Sequence, residues 1–466
     1  MKQSTLPDTP AQADAAMRSI HSTGTSAASI ALLWLAATAC GFPRPPDIVG
    51  DAPGGSDGSA GPSVAIHVSP SGDNANDGLT LPVKTLKHAI ELAAANTMIT
   101  QIILATGTYS ASSGETFPYI IPSNVTVGGP GDGSAILVGD NTGPGVTIDT
   151  GGLQDLDVQG FATAITVTGA ANLKNVRVLA STIAVQAEAT ASLNVNNLDI
   201  TGIVTGARPC STGIVLDGAA KLVATTLTTR SVGTTLDARD QSVVAVANAT
   251  VSGDPTCSSS TLIVVVSTAS FSLSDSLLDG GATGITIAGQ STSFHATISN
   301  TIVRNMKGDG LSGFPGLKAS FQMTGGELSN NGEAGAELGQ GIWTFTNVAI
   351  RQNHTLAFYL QDANLVMRNC TIVGNAFGID VFQASTADLG TSLNPGNNIL
   401  QSNSSASIFA ESGISTPVSA IGNIWNPNVQ GADENGKYAL TATISGPVAP
   451  VPNGNYQINE NSSLSR

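Results

Sequence analysis

Glu337, Tyr359 and Asp380 occupy the third place of three look-alike segments, GAEL (Gly335–Leu338), AFYL (Ala357–Leu360) and GIDV (Gly378–Val381). The steps between them are 22 and 21 residues. If each segment is one rung of a stack, the three side chains form a column. Its two carboxylates then lie two rungs apart, roughly 9.6 Å at about 4.8 Å per rung. Carboxyls about 6.5–9.5 Å apart suit an inverting glycosidase, one as acid and one as base. A tyrosine between them can stack on a sugar ring. The preceding turns add Lys307, Asp309, Glu333 and His354. The catalytic candidates are therefore Glu337, Asp380, Lys307 and Arg351, and the substrate-contact candidates are Tyr359, Asp309, Glu333 and His354. The plain alternative is that outward strand residues are polar because they face water. Catalysis is accordingly not assigned.

A second set of oxygen-bearing side chains lies in SPSGDNANDG (Ser69–Gly78). Asp73, Asn74, Asn76 and Asp77 suit a hard cation such as calcium. However, no glutamate closes the loop as in an EF-hand, and Asp/Asn-Gly clusters commonly bond their own backbone in turns. Calcium is the one cofactor this pattern suggests, with Asp73, Asn76 and Asp77 as its ligand candidates. His67, His88 and His295 lack metal-ligand spacing and read as structural.

These side chains need a scaffold that repeats. The pattern apolar-x-apolar-x-Asn-x-x-apolar recurs as LNVNNLDI (Asn197), VAVANATV (Asn248), FSLSDSLL (Asp275), ATISNTIV (Asn300), WTFTNVAI (Asn347) and LVMRNCTI (Asn369). Weaker copies centre on Asp155, Asn175, Ala224 and Gly325, so the centres run 20–27 residues apart. Such a period means a solenoid. Each period holds a second strand signal, as in AITV, GIVL and GITI, and a further Asn between the two: Asn305, Asn330, Asn353, Asn375, Asn403. Each coil is thus three short strands and three turns. Asn tolerates left-handed backbone and can bond its copy one coil away.

An open solenoid end exposes core and unpaired backbone, so something must cover it. In 82–96, Leu86, Ala89, Ile90 and Ala93 fall on one helical face. Pro82 suits a first turn. A cap helix over coil one is expected there.

This architecture resembles the right-handed parallel β-helix of the pectin-lyase-like superfamily, over residues 64–430. The opening S-P-S-G-D-N-A-N-D-G, then K-T-L-K-H-A-I, G-T-Y, G-E-T-F-P and I-P-S-N-V-T-V-G-G, is similar to the signature of a bacterial secreted family of unknown function. The period gives an all-β solenoid of about twelve coils with an N-terminal α-helical cap, and the resemblance implies that fold and secretion, but no activity. Polysaccharide lyases of the superfamily use a Lys or Arg base near calcium carboxylates. Here only Arg304, Lys307 and Arg351 are scattered candidates, and no catalytic motif carries over.

The N-terminus reads as an address. AASIALLWLAATA (Ala27–Ala39) before Cys40-Gly41 is too short to span a bilayer and fits a signal h-region. It resembles a lipoprotein signal cleaved before a lipidated Cys40, and Gly41 resembles outer-membrane sorting. Met17-Arg18 is the more ordinary start, which would leave residues 1–16 untranslated. Residues 40–63 are rich in Pro, Gly, Ser and Asp and read as a tether. Residues 431–466 read as an irregular end with a closing strand near Tyr456–Ile458. Cys210 and Cys257 lie in polar insertions where pairing stays open, and Cys370 reads as a buried thiol.

A net charge of −15 repels nucleic acid and, without a bridging cation, polyuronates. The expectation is a lipid-anchored cell-envelope protein, on the outer membrane or cell surface, that meets the membrane only through its anchor. Its β-helix would bind glycans or surface proteins. The alternatives are a carbohydrate-active enzyme (polysaccharide lyase or inverting glycosidase) and a structural or adhesive rod.

Overall fold

The computed structural model describes residues 64–425, apart from 204–209, 258–259, 290–293, 314–319, 392, 411–417 and 421, together with the strands 443–444 and 456–458. The signal, Cys40 and tether expectations lie outside the described residues.

The described chain is nearly all β, with coils of three strands stacked in parallel register. Alternation decides which face each side chain takes. In AGAEL (Ala334–Leu338), Ala336 and Leu338 are buried while Glu337 is partly open. The third strand of each coil stacks into one sheet from Tyr119–Ile121 to Ala406–Ala410. Its outward column runs Thr166, Gln186, Val215, Asp237, Val264, Thr286, Ser312, Glu337, Tyr359, Asp380, Phe409. Glu337, Tyr359 and Asp380 thus stand on consecutive rungs, as the spacing predicts. The expected strand Tyr456–Ile458 is present, and it pairs antiparallel with Ala406–Ala410.

Left-handed residues turn the coils. Asp155, Asn175, Asn197, Asn248, Asp275, Asn300, Asn347 and Asn369 all have φ of 47–66°. Their side chains ladder in part: Asn197 Nδ2 donates to Asn175 Oδ1 at 3.0 Å, and Asn175 Nδ2 to Asp155 Oδ1 at 2.8 Å. Two expectations need correction. Ala224 is inward and buried; its coil turns at Thr226, which pairs with the Asn197 position through the Leu198↔Leu227 register. The second Asn column was also read one residue early in two coils. Asn305 and Asn330 are left-handed with φ 58° and 53° and hold the outside of the bend. The next residue turns inward, so the buried ladder is Asn331, Asn353, Asn375, Asn403. Each Nδ2 donates to the next Oδ1 at 2.9–3.1 Å. Buried amides must be paired in this way, because an unmet one costs about 1–3 kcal/mol.

The core is a column of Val, Ile and Leu, with an aromatic stack in the late coils. Phe321 meets Trp343 at 4.9 Å between ring centroids, and Phe345 meets Phe358 at 4.9 Å. Each such side chain contributes about 1.5–3 kcal/mol by burial.

The helix spans Leu86–Ala95, shorter than the expected 82–96, because Thr85 is its N-cap and accepts from His88 N. Pro82 therefore lies outside the first turn; its carbonyl instead receives Asn76 Nδ2. Leu86, Ala89, Ile90 and Ala93 are buried in the shared core, and the helix packs on Val64–Val68, Ile99–Leu104 and Tyr119–Ile121. Buried Glu115 accepts from Leu86 N and Lys87 N, satisfying two otherwise orphaned donors.

Cys210 and Cys257 form a disulfide, with Cα atoms 6.0 Å apart. Cys370 is a buried free thiol, and burial pushes it up to about 11.

Candidate functional site

Asp309, Glu333 and Glu337 converge at the edge of the third sheet. The Met306–Gly310 turn brings Asp309 to the start of the next rung, where its Oδ1 accepts from Ala334 N at 2.9 Å. That bond holds the carboxyl at the start of the Ala334–Leu338 strand, in which Glu337 lies three positions further on. Burial pushes Asp309 up to about 7, and the nearby charges of Glu337 and Glu333 push in the same direction. Glu337 is also raised, first by burial, while its hydrogen bond with Asp309 acts the other way. The two carboxyls act on each other in opposite senses, so they titrate as a pair rather than singly. Two like carboxyls this close cannot both ionise freely.

The rungs above are aromatic. Tyr359 follows Glu337 in register, and its ring stacks on Phe382 with centroids 6.1 Å apart and planes at 20°. Asp380 follows Tyr359. Phe377 lies against Phe409 at 6.0 Å. Tyr359, Phe377, Asp380, Phe382 and Phe409 are all half-buried. Phe377, Phe382 and Phe409 were not read from the sequence as site residues. The signal was present for Phe382, which is two positions beyond Asp380 and so shares its outward parity.

Other candidates do not join this group. Lys307 Nζ donates to Pro255 O at 2.9 Å, beside a 560 Å³ groove that also runs past Asp279 and Gly280. Arg351 lies on a different sheet and is held by Glu327; Arg304 is there too, held by Asp279 at 2.8 Å. The expected cationic base is thus not assembled at Glu337, because each cation already has an acidic or carbonyl partner. His354 is exposed on the turn leading into Leu356–Gln361. The column is also less bland in its early coils than expected, since it includes Gln186 and Asp237. Asp237 is an ion-pair partner of Arg239.

The Asp/Asn turn near the cap is committed to local bonds. Asp73 Oδ1 accepts from Ala75 N, and Asn74 Oδ1 accepts from Lys84 N and Thr85 N. Asp77 accepts from Leu79 N and Thr80, which holds it down at about 2. Among the described residues, no group of three or more His, Cys, Asp or Glu is placed to hold a metal. His295 bonds Ser320, and His88 sits near Glu91.

Among solved structures, the chain is similar in fold to the A-module of the mannuronan C-5 epimerase AlgE6 of Azotobacter vinelandii (12% identity, 73% of this chain and 87% of that one, TM-score 0.34). It is similar also to the catalytic domain of a GH87 alpha-1,3-glucanase in complex with tetrasaccharides (11%, 73% and 67%, TM-score 0.42). A third is tailspike protein 3 of bacteriophage CBA120 (12%, 77% and 61%, TM-score 0.35). No curated protein sequence matches the chain. The family model described as "Protein of unknown function (DUF1565)" matches residues 70–356 and 346–430. Those residues take in the Asp/Asn turn, the cap helix, the stacked coils and the acid–aromatic face, and the chain belongs to that family.

Proposed function

We propose that the late coils of the third sheet form a glycan-binding face, carried by a lipid-anchored cell-envelope protein. One observation carries the reading: half-buried aromatic rings and carboxyls are placed together on one outward face, Tyr359 on Phe382 and Phe377 on Phe409 around Asp380 and Glu337. Aromatic rings offer flat apolar area to sugar faces, and carboxylates accept from sugar hydroxyls. An extended sheet face suits a chain-like ligand better than a small molecule, which needs enclosure.

The anchor rests on the sequence: the 1–39 signal, Cys40, and the 40–63 tether ahead of the 64–430 body. The Cys210–Cys257 disulfide fits an oxidising compartment outside the cytoplasm. Radiolabelled palmitate should enter the chain and fail to enter Cys40→Ala.

The binding test mixes the full chain with a panel of neutral and acidic polysaccharides, with and without calcium, and reads co-sedimentation. Saturable binding to at least one glycan is expected. Tyr359→Ala should weaken it about tenfold, ~1.4 kcal/mol, with the fold retained and only a small fall in thermal stability. Absence of binding across the panel, or indifference to Tyr359→Ala, overturns the reading.

A second reading, hydrolysis, is favoured by the Asp309–Glu337 pair, since an acid beside a carboxylate is what proton transfer to a glycosidic oxygen requires. New reducing ends from any panel member would establish it. Turnover retained in Asp380→Asn would remove Asp380 from the machinery.

A further inference from the structure

We propose that the N-terminal end of the solenoid seats on the lipid bilayer, with Leu79 and Leu81 inserted among the acyl chains as a second contact beside the Cys40 anchor. The inference rests on the lipid-anchor reading above and adds the protein surface that meets the membrane.

Exposed apolar side chains are unevenly spread along the solenoid. Among the described residues nine large ones are exposed, and five of them, Leu79, Leu81, Met98, Ile103 and Ile120, fall within 79–120. The other four are scattered over 223–424. Single exposed apolar residues are ordinary, whereas a continuous group marks a contact surface. Leu81 and Ile103 form such a group, since they line one 350 Å³ groove with His67 and Pro82.

The loop between the Asp/Asn turn and the cap helix holds its leucines outward. Gly78 has φ 71° and seats against the core, where a Cβ would meet Ile66 Cγ2 at 2.6 Å. Gly78 O accepts from His67 N at 2.8 Å, and Val83 N donates to His67 O at 3.0 Å. The loop is thus stitched along the edge of Val64–Val68 that the next strand, Ile99–Leu104, leaves open. Asp77 Oδ1 accepts from Leu79 N at 3.0 Å and Thr80 N at 2.9 Å. Between these fixed points Leu79 and Leu81 are 50% and 60% exposed. Pinned on both sides, the loop does not fold them away, and their apolar area stays in water until an apolar phase covers it.

The position of the loop favours lipid over a soluble partner. The tether joins the body at Val64, on the strand whose edge carries the loop. Residues 40–63 are 24 in number and span at most about 80 Å. For a chain anchored at Cys40, the bilayer is therefore always within reach of this end, whereas a soluble partner must be met from solution. The local charges balance, with Lys84 and Lys87 set against Asp73, Asp77 and Glu91, and Lys87 4.0 Å from Glu91. The contact is thus with acyl chains and not with anionic headgroups. Seated in this way, the solenoid carries Tyr359 and Asp380 roughly 50 Å up the stack at about 4.8 Å per rung, clear of the bilayer.

The experiment uses the full lipidated chain in phosphatidylcholine vesicles, with an environment-sensitive fluorophore on Thr80→Cys, between the two leucines. Labelling is confined to that site, because Cys210 and Cys257 are paired, Cys370 is buried, and the lipid blocks Cys40. A blue shift and quenching by nitroxide-labelled lipid are expected. Ile342→Cys, exposed in a late coil, should show neither. Leu79→Ser with Leu81→Ser should abolish the quenching while the chain still floats with the vesicles. Added phosphatidylglycerol should leave the quenching unchanged. A floating chain whose Thr80→Cys label stays in water overturns this inference and leaves the anchor standing. Quenching that survives both serines, or that requires the anionic lipid, also overturns it. A blue shift that grows with protein concentration in the unlipidated Cys40→Ala chain, without vesicles, makes the surface an interface between copies and overturns the membrane contact. A parent chain that takes up no palmitate and does not float overturns the anchor reading and this inference together.

Discussion

Two faces of the same solenoid treat charge in opposite ways. On a second sheet, stacked from Asp157–Gln159 through Leu277–Asp279 to Ala349–Arg351, acids meet arginines on neighbouring rungs: Asp157 with Arg177, Asp199 with Arg230, Asp279 with Arg304, Glu327 with Arg351. On the late third sheet, acid meets acid: Asp309 and Glu337 are both raised, first by burial, and Glu333 adds like charge to each. Both faces are built on the same period, the same turns and the same core. The period therefore does not explain the difference. A matched pair maintains the surface of a stacked sheet, whereas two neighbouring carboxyls both raised by burial, Asp309 and Glu337, are the pattern of sites rather than of scaffolds.

The sharpest way to test that contrast is within one strand. Phe358 and Tyr359 are adjacent, one inward and one outward. Phe358 is fully buried and packs edge-on to Phe345. Phe358→Ala should cost about 3–5 kcal/mol in chemical denaturation. Tyr359→Ala should cost much less stability and act on glycan affinity instead. If the two variants lose stability alike, the outer face is scaffold, and the division between inward packing and outward recognition fails.

The next test sets the matched face against the unmatched one. Asp157 is almost fully buried, and Arg177 supplies its charge-assisted bonds. Arg177→Ala strands that carboxylate and should destabilise by about 1–3 kcal/mol. Removing an acid from the unmatched face should do the reverse above neutrality. Asp309 has a folded-state value raised to about 7, so its contribution is fully present at low pH, where folded and unfolded chains both carry the proton. That contribution is lost as pH rises from the ordinary carboxylate range through about 7. Asp309→Asn should flatten that fall, and above it the variant should be the more stable protein. Some slope should persist, because Glu337 and Glu115 are raised by burial too. Urea midpoints measured across the pH range decide it: a variant less stable than the parent on the alkaline side would make Asp309 a structural anchor.

What the sequence made legible follows from how local each signal is. Alternation and left-handed Asn are properties of a few adjacent residues, so the coils, the column Glu337–Tyr359–Asp380 and the helix face could be read directly. The ladder was misplaced at Asn330-Asn331 because two adjacent amides fit the same turn, and only the inward one is buried. Pairing across rungs is not local. Asp309 reaches Glu337, and Arg351 reaches Glu327, only once register is known. Phe377 and Phe382 were passed over because an apolar residue in a strand is ordinarily taken as core, whereas here both sit half-open on the outside.

The smallest expected effect tests whether the matched face contributes through its charges at all. Arg230 and Asp199 bond at 2.7 Å, but the arginine side chain is 56% exposed. An exposed pair of this kind is worth about 0–1 kcal/mol and is screened by salt. Arg230→Ala should therefore shift a denaturation midpoint only slightly, and less still in high salt. A double-mutant cycle with Asp199→Ala isolates the pair. A coupling well above that range, insensitive to salt, would mean that the second sheet's arginines hold its rungs together. Registration between coils would then rest on charge as well as on the Val, Ile and Leu column.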